Sequence, residues 1–141
     1  MYLLDTNVIS ALRRREKNIV VAHWVATLAP DDLHVSVATI TEIEQGIERQ
    51  KNRDPVYAGR LTAWLDRTIE QYGERILPIT TSIARRWAQI TAAMGHNDFD
   101  FAIAATALEQ DLTVVTRNVR DFVPTGVTIF DPFEGRTYKP E

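Results

Sequence analysis

The chain has 141 residues, the length of one ordinary domain, and 45% of them are hydrophobic, which excludes a disordered polymer and leaves apolar material for a core. It contains no cysteine, which excludes disulfides and cysteine-ligated zinc and fits a reducing, cytoplasmic setting. Nineteen acidic against sixteen basic residues give a net charge of −3, unlike a protein that binds nucleic acid through bulk positive charge; no signal peptide and no membrane span is expected.

The first strand is "YLLD" from Tyr2, apolar on both faces as a central parallel strand is, and Asp5 falls where it ends. A short helix is expected over Asn7 to Arg14, and a second over Val20 to Leu28. "LHVSV", residues 33–37, reads as the second strand. Helices over Thr39 to Gln50 and Val56 to Tyr72 follow, separated by Asp54-Pro55. "RILPI", residues 75–79, is the third strand; the next helix runs from Ile83 to Met94 and stops at Gly95. The last long helix covers Phe99 to Gln110, the fourth strand is "LTVVT" at 112–116, and "VTIF" at 127–130 is a short fifth. Strands alternating with helices predict an α/β fold of three layers, α/β/α, around a parallel sheet of four to five strands. Residues 1–133 are expected to form the domain and 134–141 a polar surface tail.

Carboxylates recur where strands end and helices begin. Asp5 follows the first strand, Glu42 is expected in the first turn of the helix after the second, and Asp100 in the first turn of the helix before the fourth. Asn118 and Asp121 follow the fourth strand. In an open parallel sheet these positions share the edge at which ligands bind. Each acid alone also fits helix capping: "TITE", Thr39 to Glu42, matches a capping box, "NDFD" from Asn97 is a looser version, and Asp5 or Thr6 can cap the helix from Asn7. Together they differ, because several carboxylates gathered at one edge repel one another unless a cation neutralises them. Carboxylate oxygens with no cysteine and no paired histidines suit Mg²⁺ or Mn²⁺ rather than zinc.

Other chemistries are excluded by pattern. His23, His34 and His96 have no metal-ligand spacing; Gly46, Gly59 and Gly73 are isolated, so there is no phosphate-cradling loop. No G-x-S-x-G elbow is present. A phospho-acceptor receiver domain needs an aspartate after the third strand and a lysine after the fifth; here Pro78-Ile79-Thr80 and Asp131-Pro132 stand there.

"LLDTNVIS" at the start, "TITEIEQGI" at 39–47 and "DFAIAATALEQDLTVVTRNVRDF" at 100–122 resemble the PIN-domain ribonucleases, and within them the VapC and FitB group of toxins from toxin–antitoxin systems. The third stretch is the most specific, joining an acid, a small-residue helix, a strand and a "TRN" turn in order. The resemblance implies a Mg²⁺-dependent endonuclease acting on RNA, with Mn²⁺ as a substitute. It also implies a small antitoxin as partner and a homodimer, which can join a larger toxin–antitoxin assembly. Residue by residue it carries the metal and catalytic roles onto Asp5, Glu42 and Asp100. The family's fourth acid falls on Asn118, a departure for which Asp121 is placed to compensate. Thr6 and Thr116 match polar residues that flank the acids, Asp98 is assigned to the loop or cap, and Arg13, Arg14 and Arg117 are the candidates to hold the RNA backbone. The Asn118 departure keeps open a catalytically inactive PIN-like binding or regulatory module.

Overall fold

In the computed structural model, which describes residues 1–141, the chain enters β1 (Tyr2–Leu4) at once and turns into α1 (Thr6–Leu12). There follow α2 (Ile19–Ala26), β2 (Leu33–Ser36), α3 (Val37–Lys51), α4 (Pro55–Tyr72) and β3 (Ile76–Leu77). Then come α5 (Thr81–Met94), α6 (Phe99–Gln110), β4 (Thr113–Val115), α7 (Val119–Phe122), β5 (Ile129–Asp131) and β6 (Arg136–Tyr138). The strands form one sheet in the order β3-β2-β1-β4-β5-β6. All pairings are parallel except β5 with β6, which is antiparallel.

Alternation along the strands divides the interior into two cores. Leu3 and Val114 point into one, with α5, α6 and α7; Leu4 and Val115 point into the other, with α1, α2, α3 and α4. That is the three-layer arrangement expected. Helix α6 is buried on every side: Phe101 to Ala107 are seven consecutive buried residues, which requires the small side chains of "AIAATA". No helix is long and apolar enough to cross a membrane.

Two expectations change. The five parallel strands are those expected, and a sixth, antiparallel strand joins them because Arg136–Tyr138 in the polar tail pairs back onto β5. The turn between them closes through a Gly135 N–H to Asp131 carbonyl bond of 2.8 Å, with Gly135 at φ 68, a conformation that glycine adopts without strain. Helix α3 begins at Val37, two residues before the expected start, with the Ser36 hydroxyl accepting from the Ala38 N–H at 3.0 Å. Thr39 is therefore inside the helix, and Glu42 is in its second turn instead of closing a capping box.

The chain leaves β1 for β2 on one side and later returns to β4 on the other. The crevice where the order reverses lies beyond the carboxyl end of β1.

Candidate metal centre

Asp5 occupies that reversal point. Its N–H still bonds the Val115 carbonyl at 2.9 Å, so the residue is fixed to the end of β4, while its side chain caps α1 by accepting from the Thr6 N–H at 2.7 Å. The other carboxylate oxygen accepts from the Thr116 hydroxyl at 2.8 Å and from the Asn7 side-chain amide at 3.1 Å. Asp5 is 2% exposed.

Glu42 reaches the same point from α3, whose Ile43 and Ile47 anchor it in one core. Its Oε1 accepts from the Thr6 hydroxyl at 2.8 Å, which stands 3.3 Å from the Thr39 hydroxyl. Asp100 arrives from α6, whose following residues fill the opposite core. It lies in the first turn, as expected, beneath an Asp98 cap whose carboxylate accepts the Asp100 N–H at 2.8 Å. Carboxylate oxygens of Asp5, Glu42 and Asp100 lie within 4.8 Å of one another.

The electrostatics of this triad are unfavourable as they stand. Burial pushes the Asp5 carboxyl up from 3.8 to about 6, against the lowering effect of its bonds to Thr116 and Thr6. Burial, then the charges of Asp5, Asp98, Glu42 and Asp121, push Asp100 up from 3.8 to about 7. Glu42 is raised by burial, an effect opposed by its bond from Thr6 and assisted by Asp98. No cation of the chain offsets them: its two ion pairs are Lys51–Glu48 and Arg86–Glu109, neither of which includes a member of the triad. A divalent ion fits this donor set. Three hard oxygens with neither sulfur nor imidazole match Mg²⁺ or Mn²⁺. Asp5, Glu42 and Asp100 would hold such an ion, each offering a carboxylate oxygen within 4.8 Å of the other two.

The remaining expected residues fall around the triad. Thr6 and Thr116 each donate to one of its acids. Asn118 and Asp121 are exposed, and Asp121 is outside the triad, although its charge is felt by Asp100. The Asn118 backbone N–H donates to the Thr116 hydroxyl at 2.9 Å. Arg14 and Arg117 are exposed, and the Arg117 guanidinium lies 3.7 Å from the centre of the Phe133 ring. Arg13 is half-buried in a groove that Thr6 and Glu42 also line.

One residue escaped sequence reasoning. Asn7 links Asp5 to Thr116 and accepts the Arg117 N–H at 3.3 Å, tying β1 to the turn after β4. It stands in the opening "DTN", where an asparagine at the head of a helix reads as an ordinary polar residue.

The Thr116 hydroxyl is the pivot of this network, accepting from Asn7 and Asn118 while donating to Asp5. Thr116→Val is expected to cost about 1–3 kcal/mol, since it removes a donor from the buried Asp5 carboxylate and the acceptor of the Asn118 N–H, while the Asn7 amide keeps its bond to Asp5. It should also raise the Asp5 carboxyl further, because the Thr116 bond is the largest influence lowering it. A thermal melt and a pH–rate profile check both: the acid limb of the profile should move to higher pH.

A family model described as PIN domain matches residues 2–123. The chain is 33% identical to "Toxin FitB" of Neisseria gonorrhoeae over 94% of its own length and 99% of that protein. It is 28% identical to "VapC ribonuclease Y4jK" of Sinorhizobium fredii, covering 95% of this chain and 99% of the relative. Among solved structures it is similar to the crystal structure of FitAcB from Neisseria gonorrhoeae, with a TM-score of 0.73 and 34% identity over 94% of this chain and 99% of that one.

Proposed function

The chain belongs to the PIN-domain family, and on that premise we propose that it is a divalent-metal-dependent endoribonuclease of the cytoplasm. We read it as the toxin of a toxin–antitoxin pair, working as a homodimer and held in check by a small antitoxin. The observation that carries the reading is the convergence of Asp5, Glu42 and Asp100 from three separate elements onto one uncompensated oxygen cluster. The likeness to proteins named as a toxin and as a ribonuclease directs that cluster to RNA.

A bound Mg²⁺ or Mn²⁺ would activate water and neutralise charge on the scissile phosphate. The chain's own residues prepare the place for it. Asp5 and Asp100 offer direct oxygens, and Glu42, turned by Thr6, offers an oxygen that can act through water or take a proton. Thr116 and Asn7 hold Asp5 in one orientation, so its oxygens need no rearrangement when substrate arrives. Asn118 and Asp121, at the rim, complete the acidic side as polar and charged groups beyond the first three. Arg13, Arg14 and Arg117 make a basic border for the RNA backbone, which positions without reading sequence.

Incubating the purified protein with total RNA tests the reading. Cleavage with Mg²⁺ or Mn²⁺, abolished by chelator and mapped to internal sites, is the expected result. The asparagine at 118 favours one other reading, an inactive PIN-like module. Metal binding without cleavage under any ion would establish that alternative and remove the nuclease.

A further inference from the structure

The groove beside the triad has features that metal binding does not use. It has a volume of about 300 Å³, runs between α1, α3 and α4, and shares Thr6 and Glu42 with the acidic cluster. That size is at the low end for sites that enclose a small organic group.

Its cation is unpaired. The Arg13 guanidinium donates to the Tyr57 hydroxyl at 3.0 Å and lies 5.6 Å from the Tyr57 ring centre and 6.0 Å from that of Trp64. Neither ion pair of the chain includes it. A guanidinium has five N–H donors in a planar fork. Bonding to Tyr57 uses one, and the aromatic shelf holds the rest in place half-buried. An arginine so arranged, facing a space that opens on an acidic cluster, lacks an anion.

The wall of the groove is also unusual. Gly46 lines it from within α3, where glycine is less favourable than alanine. Packing does not demand glycine there: a Cβ would meet only the Arg49 Nη2 at 3.8 Å, an ordinary contact. What the missing side chain preserves is open space.

We propose that this groove is a subsite for the nucleotide adjoining the scissile phosphate, with Arg13 holding the neighbouring phosphate and the sugar and base passing over Gly46 toward Leu61 and Trp64. The inference rests on the ribonuclease reading above. An RNA strand is favoured as occupant because one continuous anion would meet both the metal-loaded triad and the unpaired arginine. The aromatic wall accepts any base by stacking.

The test uses a short single-stranded RNA oligomer that spans a cleavage site mapped in total RNA. Binding is measured by fluorescence anisotropy in the Asp5→Asn background, where cleavage is expected to be too slow to interfere, and cleavage in the otherwise unaltered chain. Arg13→Gln is expected to weaken RNA binding about tenfold and to lower the slope of log affinity against log salt by about 0.7, the value for one phosphate contact on a single strand. The loss in cleavage should be carried chiefly by KM, with Arg13→Lys recovering part of it. Gly46→Leu should weaken RNA binding by closing the groove, and Gly46→Ala should weaken it less, in the same direction. Where Asp5 is kept, Mn²⁺ affinity should be the same in all of them. If Gly46→Leu does not fold, the salt slope of Arg13→Gln decides alone. Unchanged affinity, KM and salt slope in an RNA-cleaving protein would overturn the subsite and leave the nuclease reading standing. Loss of binding to a protein or peptide partner with RNA binding intact would assign the groove to that partner and also overturn it. If the parent protein neither binds nor cleaves RNA, the subsite falls together with the reading it rests on.

Discussion

Asp5→Asn is expected to lower RNA cleavage by roughly 1,000-fold or more, a loss of about 4 kcal/mol of transition-state stabilisation, while the fold persists. Every group bonded to the Asp5 carboxylate is a donor: the Thr6 N–H, the Thr116 hydroxyl and the Asn7 amide. The position therefore calls for an acceptor-only side chain. An asparagine amide must turn its NH₂ toward at least one of these donors, and it removes the charge that would hold the ion. Helix α1 survives, because asparagine caps a helix about as well as aspartate. Circular dichroism should be unchanged and Mn²⁺ affinity sharply reduced. Asn118→Ala and Asp121→Asn should have smaller effects, since both side chains are exposed at the rim. Cleavage by Asp5→Asn at near the parental rate would contradict this.

Without metal, the protein is expected to become less stable as pH rises from about 5 to 8, and a divalent ion should reverse the loss. Asp5 is raised from 3.8 to about 6 and Asp100 from 3.8 to about 7. Across that interval the folded chain holds protons that the unfolded chain has released. Their stabilising effect is complete below pH 3.8 and is lost as pH climbs through about 6 and then about 7. Asp5 accounts for about 3 kcal/mol from below pH 3.8 upward, of which about half is lost above pH 5. Asp100 is half-exposed and adds less than its shift implies, because solvent screens it. For a chain of this size the fall in Tm is on the order of 10 °C. Mn²⁺ or Mg²⁺ should bind the ionised triad of the folded state alone and restore stability with the logarithm of its concentration once above its Kd. Thermal melts in chelator and in Mn²⁺ across this range measure it. A metal-free Tm that is flat or rises with pH would show that the carboxylates are not under strain.

Much of this was legible because the relevant residues stand at element ends. The apolar run before Asp5 marks a buried strand, and Asp98 ahead of Phe99 marks a helix start, so two acids could be placed from sequence. Both outcomes match the structure, Asp98 as the cap and Asp100 in the first turn. The start of α3 was misplaced for a physical reason: Val37 continues the apolar alternation of β2, and "TITE" satisfies a capping pattern in the next turn. Ser36 ends the strand first, since its hydroxyl is buried and its bond to the Ala38 N–H begins the helix. With α3 starting at Val37, Glu42 lies in the second turn, so its carboxylate is free of capping and bonds Thr6 instead. Strand β6 was illegible, because three residues in a polar tail are too few to carry a periodicity and depend on β5 for their pairing. The groove was illegible too. Arg13, Gly46, Tyr57 and Trp64 come from three helices, and only packing shows that they share a space.

The most direct measurement of the central idea, that three distant carboxylates make one divalent-ion site, is an anomalous difference map from a crystal grown or soaked with Mn²⁺. The expected result is one dominant peak bounded by the side chains of Asp5, Glu42 and Asp100, lost in Asp5→Asn crystals. A map with no peak among them, or with its dominant peak elsewhere on the molecule, would contradict it.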